Sequence, residues 1–253
     1  MTAQLKEVSI SQEIERQARI DLAAAHRLSH RYGWNDGIYN HYTHTVPGHT
    51  DRFLVKPHGL LMSEVTASNL ILVDSDGNTI QGEGEVETTA LNIHAAIHTM
   101  VPSATCVLHI HPPYATWLTS LEDNRLKMCN QTATRFYNKI AYDDVYGGLA
   151  VAREEGQRMA SALGNHKVMM HANHGVTSVG QDVAHAMFEL HYLEKACMEY
   201  NLVVTSGAKP RMISDEVCEQ ASHDMDDEYE QAVALSFAAW KRVLDREEPD
   251  YAH

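Results

Sequence analysis

Apolar residues recur every three or four positions in several long stretches of the chain, which is the spacing of a helix that buries one face. The first clear stretch covers residues 9–31 and stops before Gly33, a residue type that commonly ends helices. Asp182 stands at the head of another long stretch, where its side chain is suited to cap a helix. We therefore predict helices at 9–31, 89–100, 151–163, 183 to about 205, and over most of 213–246.

Short apolar runs bounded by turn residues alternate with these helices and are typical of strands. Two of the runs are followed by sequences with the composition of tight turns, Pro47-Gly48 and Ser75-Asp76-Gly77-Asn78. The strands are predicted at 38–46, 53–56, 70–74, 104–109, 167–171 and 176–179. Strands that alternate with helices predict an α/β domain, layered either as α/β or as α/β/α.

Composition and charge narrow the class of protein. The chain has 253 residues and no repeat or linker, so we expect one domain over 1–253 with a helical, acidic tail from about residue 206. The net charge of −14 disfavours binding to nucleic acid or to an anionic membrane, because both need clustered Lys and Arg. No apolar run is long enough to span a membrane, and residues 1–17 lack the apolar core of a secretory signal. The four cysteines have no paired spacing, which favours free thiols in a cytoplasmic protein.

Histidine is the residue type in unusual number, with 17 in the chain. His109 and His111 are two residues apart at the end of a predicted strand, so their rings face the same side, although such a pair also arises by chance. His174 precedes Gly175 in the turn after another predicted strand, where the alternative is a histidine bonded to the backbone. Three histidines with an open fourth position form the pattern of a catalytic metal site, whereas structural zinc sites have four protein ligands.

Five stretches of the chain carry motifs whose order is informative. They are GWNDGIYNHYTHTVPG (33–48), FLVKPHGLLMSEVTASN (53–69), HAAIHTMVPSATCVLHIH (94–111), RFYNKIAYDDVYG (135–147) and NHGVTSVG (173–180). Together they resemble the class II aldolase/adducin family, and the residues within these motifs are most similar to those of its adducin-like branch. The resemblance implies a three-layer α/β/α sandwich and a homo-oligomer, commonly a tetramer, with sites between subunits. It also implies that His109, His111 and His174 bind a divalent metal, with zinc expected and manganese or iron as alternatives.

One departure from the family's sugar-phosphate aldolases concerns the general base. Those aldolases carry a glutamate, next to the metal, at the position that is Ala90 here. Glu87 or Glu85 could replace it through a shifted backbone, and the alternative is that both are surface carboxylates ahead of a helix. We take Glu87 as the candidate catalytic carboxylate.

A second departure concerns the substrate. The family's phosphate-binding elements, a Gly-Asn turn and paired serines, correspond here to Tyr39-Asn40-His41 and to Thr88 and Thr89. The glycine that would approach a phosphate is therefore missing, which favours a small, non-phosphorylated substrate. Lys56 and His58 are candidates to bind a substrate carboxylate, or are alternatively a loop pair that faces water.

A proton donor is also expected, because a carbanion must be protonated after bond cleavage. Tyr137, Tyr142 and Tyr146 lie in the segment that is near the active site in related enzymes, and we take Tyr137 as the candidate. His94 and His98 are one turn apart on a predicted helix, which favours packing or support of the ligands over direct metal binding.

Three functions fit these features. The first is a metal-dependent carbon–carbon lyase, of aldolase or decarboxylase type, acting on a small carboxylate or hydroxy-carbonyl compound through a metal-stabilised enolate. The lack of the family glutamate favours decarboxylation, since that reaction needs no base to start it, or alternatively a retro-aldol reaction of an unusual, non-phosphorylated substrate. The second is an Fe(II)-dependent oxygenase on the same fold, because three histidines also suit iron. The third is a non-catalytic binding role like that of adducin.

Overall fold

The computed structural model describes residues 3–46, 49 and 51–253. Its strands are β1 (His41–Thr45), β2 (Arg52–Val55), β3 (Ile71–Asp74), β4 (Thr79–Gln81), β5 (Cys106–Ile110), β6 (Ile140–Asp143), β7 (Val168–His171) and β8 (Val176–Gly180). These strands form one sheet in the order β4-β3-β2-β1-β5-β8-β7-β6. The pairing is antiparallel throughout except between β6 and β7, which run parallel.

Helices connect the strands and cover the sheet. The α-helices are α1 (Ala3–Arg31), α2 (Thr88–Met100), α3 (Pro113–Thr119), α4 (Gln131–Thr134), α5 (Arg153–Leu163), α6 (Val183–Thr205), α7 (Asp215–Asp227) and α8 (Tyr229–Glu247). Short 3-10 helices cover Met62–Glu64 and Pro249–Ala252. None of the described helices is both long and apolar enough to cross a membrane.

Alternation along the strands sends apolar side chains to both faces of the sheet. On β5, Val107 packs in a cluster with Ile97 of α2 and Leu163 of α5. Its neighbours Cys106 and Leu108 point the opposite way, into a larger cluster that includes side chains of α1 and α6. Because successive residues of a strand face opposite sides, helices lie on both faces of this sheet. The prediction of a mixed α/β fold with a central sheet is confirmed.

The predicted elements are present, but several boundaries differ. The strand expected from residue 38 begins at His41, because Asn40 has a φ of 69°, a left-handed conformation that a strand does not accommodate. Asp182 caps α6 as predicted, and its carboxylate accepts a hydrogen bond from the His185 backbone N–H. The predicted turn at Pro47-Gly48 lies outside the described residues. Six short elements were not predicted, namely β4, β6, α3, α4 and the two 3-10 helices.

The C-terminal segment packs back onto the rest of the chain. The side chain of Arg27 on α1 forms ion pairs with Glu248 and Asp250, at 3.3 and 2.6 Å. Tyr251 is buried, and its carbonyl accepts a hydrogen bond from the backbone N–H of Ala67. The segment after α8 is thereby anchored against α1 and against the loop that precedes β3.

A buried carboxylate fixes the helix that follows the His109–His111 motif. Pro112 and Pro113 end β5 and begin α3 directly after His111. Glu194, buried on α6, accepts hydrogen bonds from the backbone N–H groups of Tyr114 and Ala115, at 2.9 and 2.7 Å. These N–H groups have no partner within their own helix, so Glu194 satisfies two donors that would otherwise be buried and unpaired.

Substitution of Glu194 by glutamine tests this anchor. The variant Glu194→Gln keeps one acceptor oxygen but turns an amide N–H₂ toward the second backbone donor. We expect the free energy of unfolding to fall by about 1–3 kcal/mol, measured by urea denaturation. Glu199→Gln is the matched control on the same helix, since the half-exposed Glu199 pairs with the exposed Lys195, and we expect a change below about 0.5 kcal/mol. Equal effects of the two substitutions would contradict the anchoring role.

Candidate metal site and cavity

Three imidazoles converge at one end of the sheet. His109 is the next-to-last residue of β5, His111 follows the strand, and His174 lies in the turn between β7 and β8. One ring nitrogen from each comes within 4.8 Å of the others, so the three rings form a group that could hold a single metal ion. The convergence follows from strand pairing, because β5 and β8 are antiparallel neighbours with His109 opposite Thr177. The turn that leads into β8 therefore lies beside the end of β5.

Hydrogen bonds occupy the Nδ1 atoms of two of these rings. His109 Nδ1 lies 3.3 Å from the hydroxyl of Thr177, and His111 Nδ1 lies 3.5 Å from a carboxylate oxygen of Asp36. The Nε2 atoms are thus left for the centre of the site. His111 Nε2 is buried and has no hydrogen-bond partner among the described residues. An unpaired ring nitrogen of this kind fits a metal ligand whose other nitrogen is held by a carboxylate.

Burial keeps the three rings neutral. It lowers the pKa of His174 to about 3, with further lowering from the neighbouring His111 and His171. Burial also lowers the pKa of His109 well below its ordinary value, and that of His111 in the same direction. A neutral imidazole has a free lone pair, so the cluster is in the protonation state that binds a metal ion.

A chain of polar side chains supports His109 from behind. The Thr177 hydroxyl contacts His109 and also lies 2.8 Å from His171 Nε2. His171 Nδ1 lies 3.4 Å from Asp143, whose carboxylate forms a bidentate ion pair with Arg158. Burial alone would raise the pKa of Asp143, but the hydrogen bonds from His171 and Arg158 outweigh it and hold that pKa well below its usual range. The buried carboxylate is therefore ionised and fixes His171.

The three histidines line a cavity of roughly 360 Å³. Its polar wall contains Lys56, Glu87, Asn40 and His41 in addition to the histidines. Its apolar lining includes Ile38, Val55, Ala90, Ile93, Leu149 and Met159. At the mouth, the loop between β6 and α5 exposes large apolar side chains, including 74% of Leu149. The cavity has the size and the mixed lining of a small-molecule site.

Glu87, the predicted catalytic carboxylate, lies in this cavity but is already engaged. It caps α2 and accepts hydrogen bonds from the Ala90 backbone N–H, at 2.9 Å, and from the Thr89 hydroxyl. Burial would raise the pKa of Glu87, but these hydrogen bonds outweigh it and lower that pKa. Thr89 lines the cavity with Glu87, whereas Thr88 is exposed and outside the lining. Glu85 is also exposed and outside it, so Glu87 is the nearer of the two predicted carboxylates.

The other predicted substrate-binding residues are also in the cavity. Lys56 is only 4% exposed, and its ammonium group donates to the Ile38 carbonyl at 2.7 Å. Burial lowers the pKa of Lys56 to about 8, although Glu87 opposes the shift. Asn40 lines the cavity and has a buried amide nitrogen without a hydrogen-bond partner among the described residues. His58 is exposed and lines the rim.

Of the three tyrosines singled out in the sequence, one lines the histidine cavity. Tyr146 stands at its mouth, with the ring centroid 6.3 Å from that of His174. Tyr137 lies before β6, where it lines a separate cavity with Tyr142 and Met212. The structure therefore brings His109, His111 and His174 together with Glu87, Asn40, His58 and Thr89, and it leaves Thr88 and Tyr137 outside.

Sequence reasoning did not identify His41, Asp143, Arg158, His171 and Thr177 as parts of the site. The three strand residues among them carry a signal in the alternation of side chains along a strand. His41, His171 and Thr177 point to the same sheet face as His109. That signal becomes usable only when the neighbouring strands and their register are known. His94 and His98 lie in a buried layer behind His41, which agrees with the expectation that they support the site and do not bind metal.

Comparisons with known proteins find a matching family profile and several similar proteins. A family profile described as "Class II Aldolase and Adducin N-terminal domain" matches residues 20–200. A Caulobacter vibrioides protein named for the class 2 aldolases is 33% identical over 95% of this chain and 93% of its own. Rat alpha-adducin is 33% identical over 79% of this chain but only 27% of its own length. Decarboxylase NovR of Streptomyces niveus is 31% identical over 80% of this chain and 76% of its own.

Solved structures give the same relationship. An aldolase II superfamily protein from Pseudomonas syringae superposes with a TM-score of 0.88 at 32% identity, over 95% of this chain and 96% of that one. An L-fuculose 1-phosphate aldolase from Glaciozyma antarctica superposes with a TM-score of 0.83 at 26% identity, over 95% and 94% of the two chains. The fold described above is thus shared along nearly the whole chain.

Gly175 packs closely against His111 and Ile110, so we expect that a larger residue is not tolerated there. A Cβ atom on this residue would lie 2.4 Å from a ring carbon of His111 and 2.6 Å from the Ile110 carbonyl oxygen. We expect Gly175→Ala to lower the free energy of unfolding by about 1–3 kcal/mol through overpacking, measured by urea denaturation. The control is Gly147→Ala, where the nearest atoms belong to the flexible end of Glu155, and we expect a change below about 0.5 kcal/mol. Wild-type stability in Gly175→Ala would contradict the geometry of the His174 turn.

Proposed function

Because the chain belongs to the class II aldolase and adducin family, we propose that it is a divalent-metal-dependent lyase that breaks a carbon–carbon bond of a small, non-phosphorylated carboxylate or hydroxy-carbonyl compound. The observation that carries this proposal is the convergence of His109, His111 and His174 at the wall of the cavity. A buried polar group normally has a hydrogen-bond partner, so the unpaired His111 Nε2 beside two further neutral imidazoles supports a bound ligand at this point. Class II aldolases use a divalent metal, and this donor set suits zinc first, with manganese and iron as alternatives.

When bound there, a divalent ion supplies a Lewis acid for the oxygens of the substrate and for the negative charge left by bond cleavage. The side chains of the protein then determine which bond breaks. Ala90 leaves no carboxylate at the position of the family's general base, and Glu87 is held by its capping bonds to Thr89 and Ala90. The position of the family's base is therefore empty, and Glu87, whose two capping bonds both go to Oε2, is committed to the start of α2.

Decarboxylation is the reaction that this arrangement favours. The bond to the carboxylate carbon breaks, carbon dioxide leaves, and the electron pair stays on the remaining substrate carbon, which then takes up a proton. No base is needed to start this sequence, whereas a donor is needed to finish it. Tyr39 and Tyr146 both line the cavity in a single chain, and Tyr146 is the one of the three tyrosines singled out in the sequence that does so. Tyr137 can serve only if a neighbouring copy brings it there. The similarity to decarboxylase NovR supports this direction.

Lys56 gives the cavity a site for a substrate carboxylate. Among the residues that the structure describes, its ammonium group has one acceptor, the Ile38 carbonyl, and it retains two hydrogens for a ligand. Asn40 adds an unpaired amide N–H₂ group in the same lining, and His58 and Thr89 add polar groups nearer the rim. The apolar residues opposite, among them Ile93 and Met159, favour an aliphatic or aromatic body over a polyhydroxylated sugar.

An Fe(II)-dependent oxygenase is a second candidate, which one comparison favours. A Streptomyces roseochromogenus protein named as a 4-hydroxy-3-prenylphenylpyruvate oxygenase is 31% identical over 78% of this chain. The similarity to alpha-adducin also keeps a non-catalytic binding role as a third candidate. Metal content separates the three, since zinc or manganese supports the lyase, iron supports the oxygenase, and no metal under any loading condition supports the binding protein.

The assembly that we propose follows the family. The helices on both faces of the sheet correspond to a three-layer α/β/α sandwich, with the whole chain as one domain and α7 and α8 as its helical tail. The exposed apolar side chains of Val145, Tyr146 and Leu149 suit contact with a second copy at the cavity mouth, as in a homotetramer. The four cysteines are free, which fits the cytoplasm.

Metal analysis tests the proposed function. We expect about one zinc or manganese ion per chain in protein purified without added metal, and loss of that ion in the double variant His109→Ala/His111→Ala. The exposed His223, far along the chain on α7, provides the control His223→Ala, which should retain the ion. Metal retained in the double variant would contradict the site, and metal absent from the wild type after loading would contradict both enzyme candidates.

The role of Lys56 is tested by ligand binding. Lys56→Met keeps the aliphatic stem of the side chain but removes the charge-assisted hydrogen bond to a carboxylate. We expect calorimetry on the zinc-loaded protein to show malonate binding weakened by about 10- to 100-fold, while acetate binding changes little. The control Lys127→Met removes a surface lysine that pairs with Asp123, and it should bind both acids as the wild type does. Unchanged malonate affinity in Lys56→Met would exclude this residue as a carboxylate site.

A further inference from the structure

A second set of buried polar groups runs away from the cavity behind His41. His41 Nδ1 lies 2.7 Å from His94 Nε2, and His94 Nδ1 lies 2.6 Å from the Thr43 hydroxyl. The same hydroxyl lies 2.7 Å from His98 Nε2, and His98 Nδ1 lies 2.7 Å from the Ala104 carbonyl oxygen. Four consecutive hydrogen bonds thus join a ring at the cavity to a backbone carbonyl.

The Ala104 carbonyl fixes which group donates in the two hydrogen bonds nearest to it. A carbonyl oxygen can only accept, so His98 must carry its hydrogen on Nδ1. His98 is buried and neutral, since burial lowers its pKa to about 4, and a neutral ring has a single hydrogen. His98 Nε2 is therefore an acceptor, and the only hydrogen available to it is that of the Thr43 hydroxyl.

The direction then passes on to His41. With its hydrogen committed to His98, the Thr43 oxygen must accept from His94 Nδ1–H. His94 is fully buried and neutral, because burial lowers its pKa well below the ordinary value, so its Nε2 carries no hydrogen. The bond between the two rings then requires His41 Nδ1–H as the donor. The tautomer of His41 is set by a carbonyl four hydrogen bonds away.

His41 is placed to use the nitrogen that remains. Its ring lines the cavity and stacks on that of His109, with centroids 5.1 Å apart and an angle of 25° between the planes. Its Nε2 has no hydrogen-bond partner in the described part of the chain and is absent from the buried unpaired atoms there, so it faces the cavity. Glu87, a carboxylate of the same lining, bonds to Thr89 and to the backbone of α2 instead.

We propose that His41 Nε2 is a fixed hydrogen-bond acceptor that selects a substrate with a hydroxyl group next to the atoms held at the three-histidine site. This inference rests on the proposed function and narrows its substrate to hydroxy acids, aliphatic or phenolic. Thr43, His94 and His98 are positioning residues, since they act only through His41. This series of hydrogen bonds does not conduct protons, because reversing all four bonds would leave His98 Nδ1 without a hydrogen opposite the Ala104 carbonyl oxygen.

The tautomer is tested directly by neutron diffraction from crystals of the wild-type protein exchanged into D2O. We expect deuterium on Nδ1 of His41, His94 and His98, a Thr43 hydroxyl directed at His98, and no deuterium on His41 Nε2. Deuterium on His41 Nε2, with Nδ1 bare, would overturn the proposal. This measurement needs neither bound metal nor activity, so its failure is separate from any failure of the proposed function.

Hydroxyl selection is tested with lactate and propionate, which differ by one hydroxyl group. Calorimetry on the zinc-loaded protein should show tighter binding of lactate, and Thr43→Val should reduce this preference about three- to tenfold, because the bridging hydroxyl is removed. The matched variant Thr43→Ser keeps the hydroxyl and should keep the preference. An unchanged preference in Thr43→Val would overturn the role of the chain, whereas no binding of either acid to the wild type would overturn hydroxyl selection together with the proposed function.

Discussion

The antiparallel pairing of β5 with β8 is the constraint on which the site depends. It sets His109 opposite Thr177, so the end of β5 lies next to the turn that carries His174. The turn itself needs unusual backbone, with Asn173 at a φ of 58° and with Gly175 packed too closely against His111 for a side chain. Strand register and turn geometry together bring three nitrogens to one point, and neither would do so alone.

The energetic problem of the site is the burial of many polar groups. An imidazole removed from water without a partner costs about 1–3 kcal/mol, so a cluster of histidines is stable only if its hydrogen bonds are satisfied. The protein meets this requirement with two chains, one from His109 to Arg158 and one from His41 to the Ala104 carbonyl. The few ring nitrogens without partners are then informative, and His111 Nε2 is one of them. In this site the satisfied groups hold the rings in place, and the unpaired His111 Nε2 indicates where a ligand binds.

The longer helices and strands and the three histidines could be predicted from the sequence alone. The parts that His41 and His171 play beside these histidines could not. The HxH spacing places His109 and His111 on one side of a strand whatever its neighbours, because alternation is local. The roles of His41 and His171 depend on which strands pair and in which register, and no local pattern encodes this. Tyr137 was expected near the site, yet Tyr146 lies there, since the path of the loop after β6 decides which ring reaches the cavity. The short elements β4 and α4 were missed because three or four residues carry too little periodicity.

The central claim is that the three histidines bind one catalytic metal ion. A crystal structure of the metal-loaded protein, with diffraction data collected on both sides of the absorption edge of the metal, tests it most directly. We expect one anomalous peak per chain, at about 2.0–2.1 Å from a nitrogen of each of His109, His111 and His174, with an open position toward the cavity. A peak elsewhere, a fourth protein ligand that closes the site, or no peak at these histidines would contradict it.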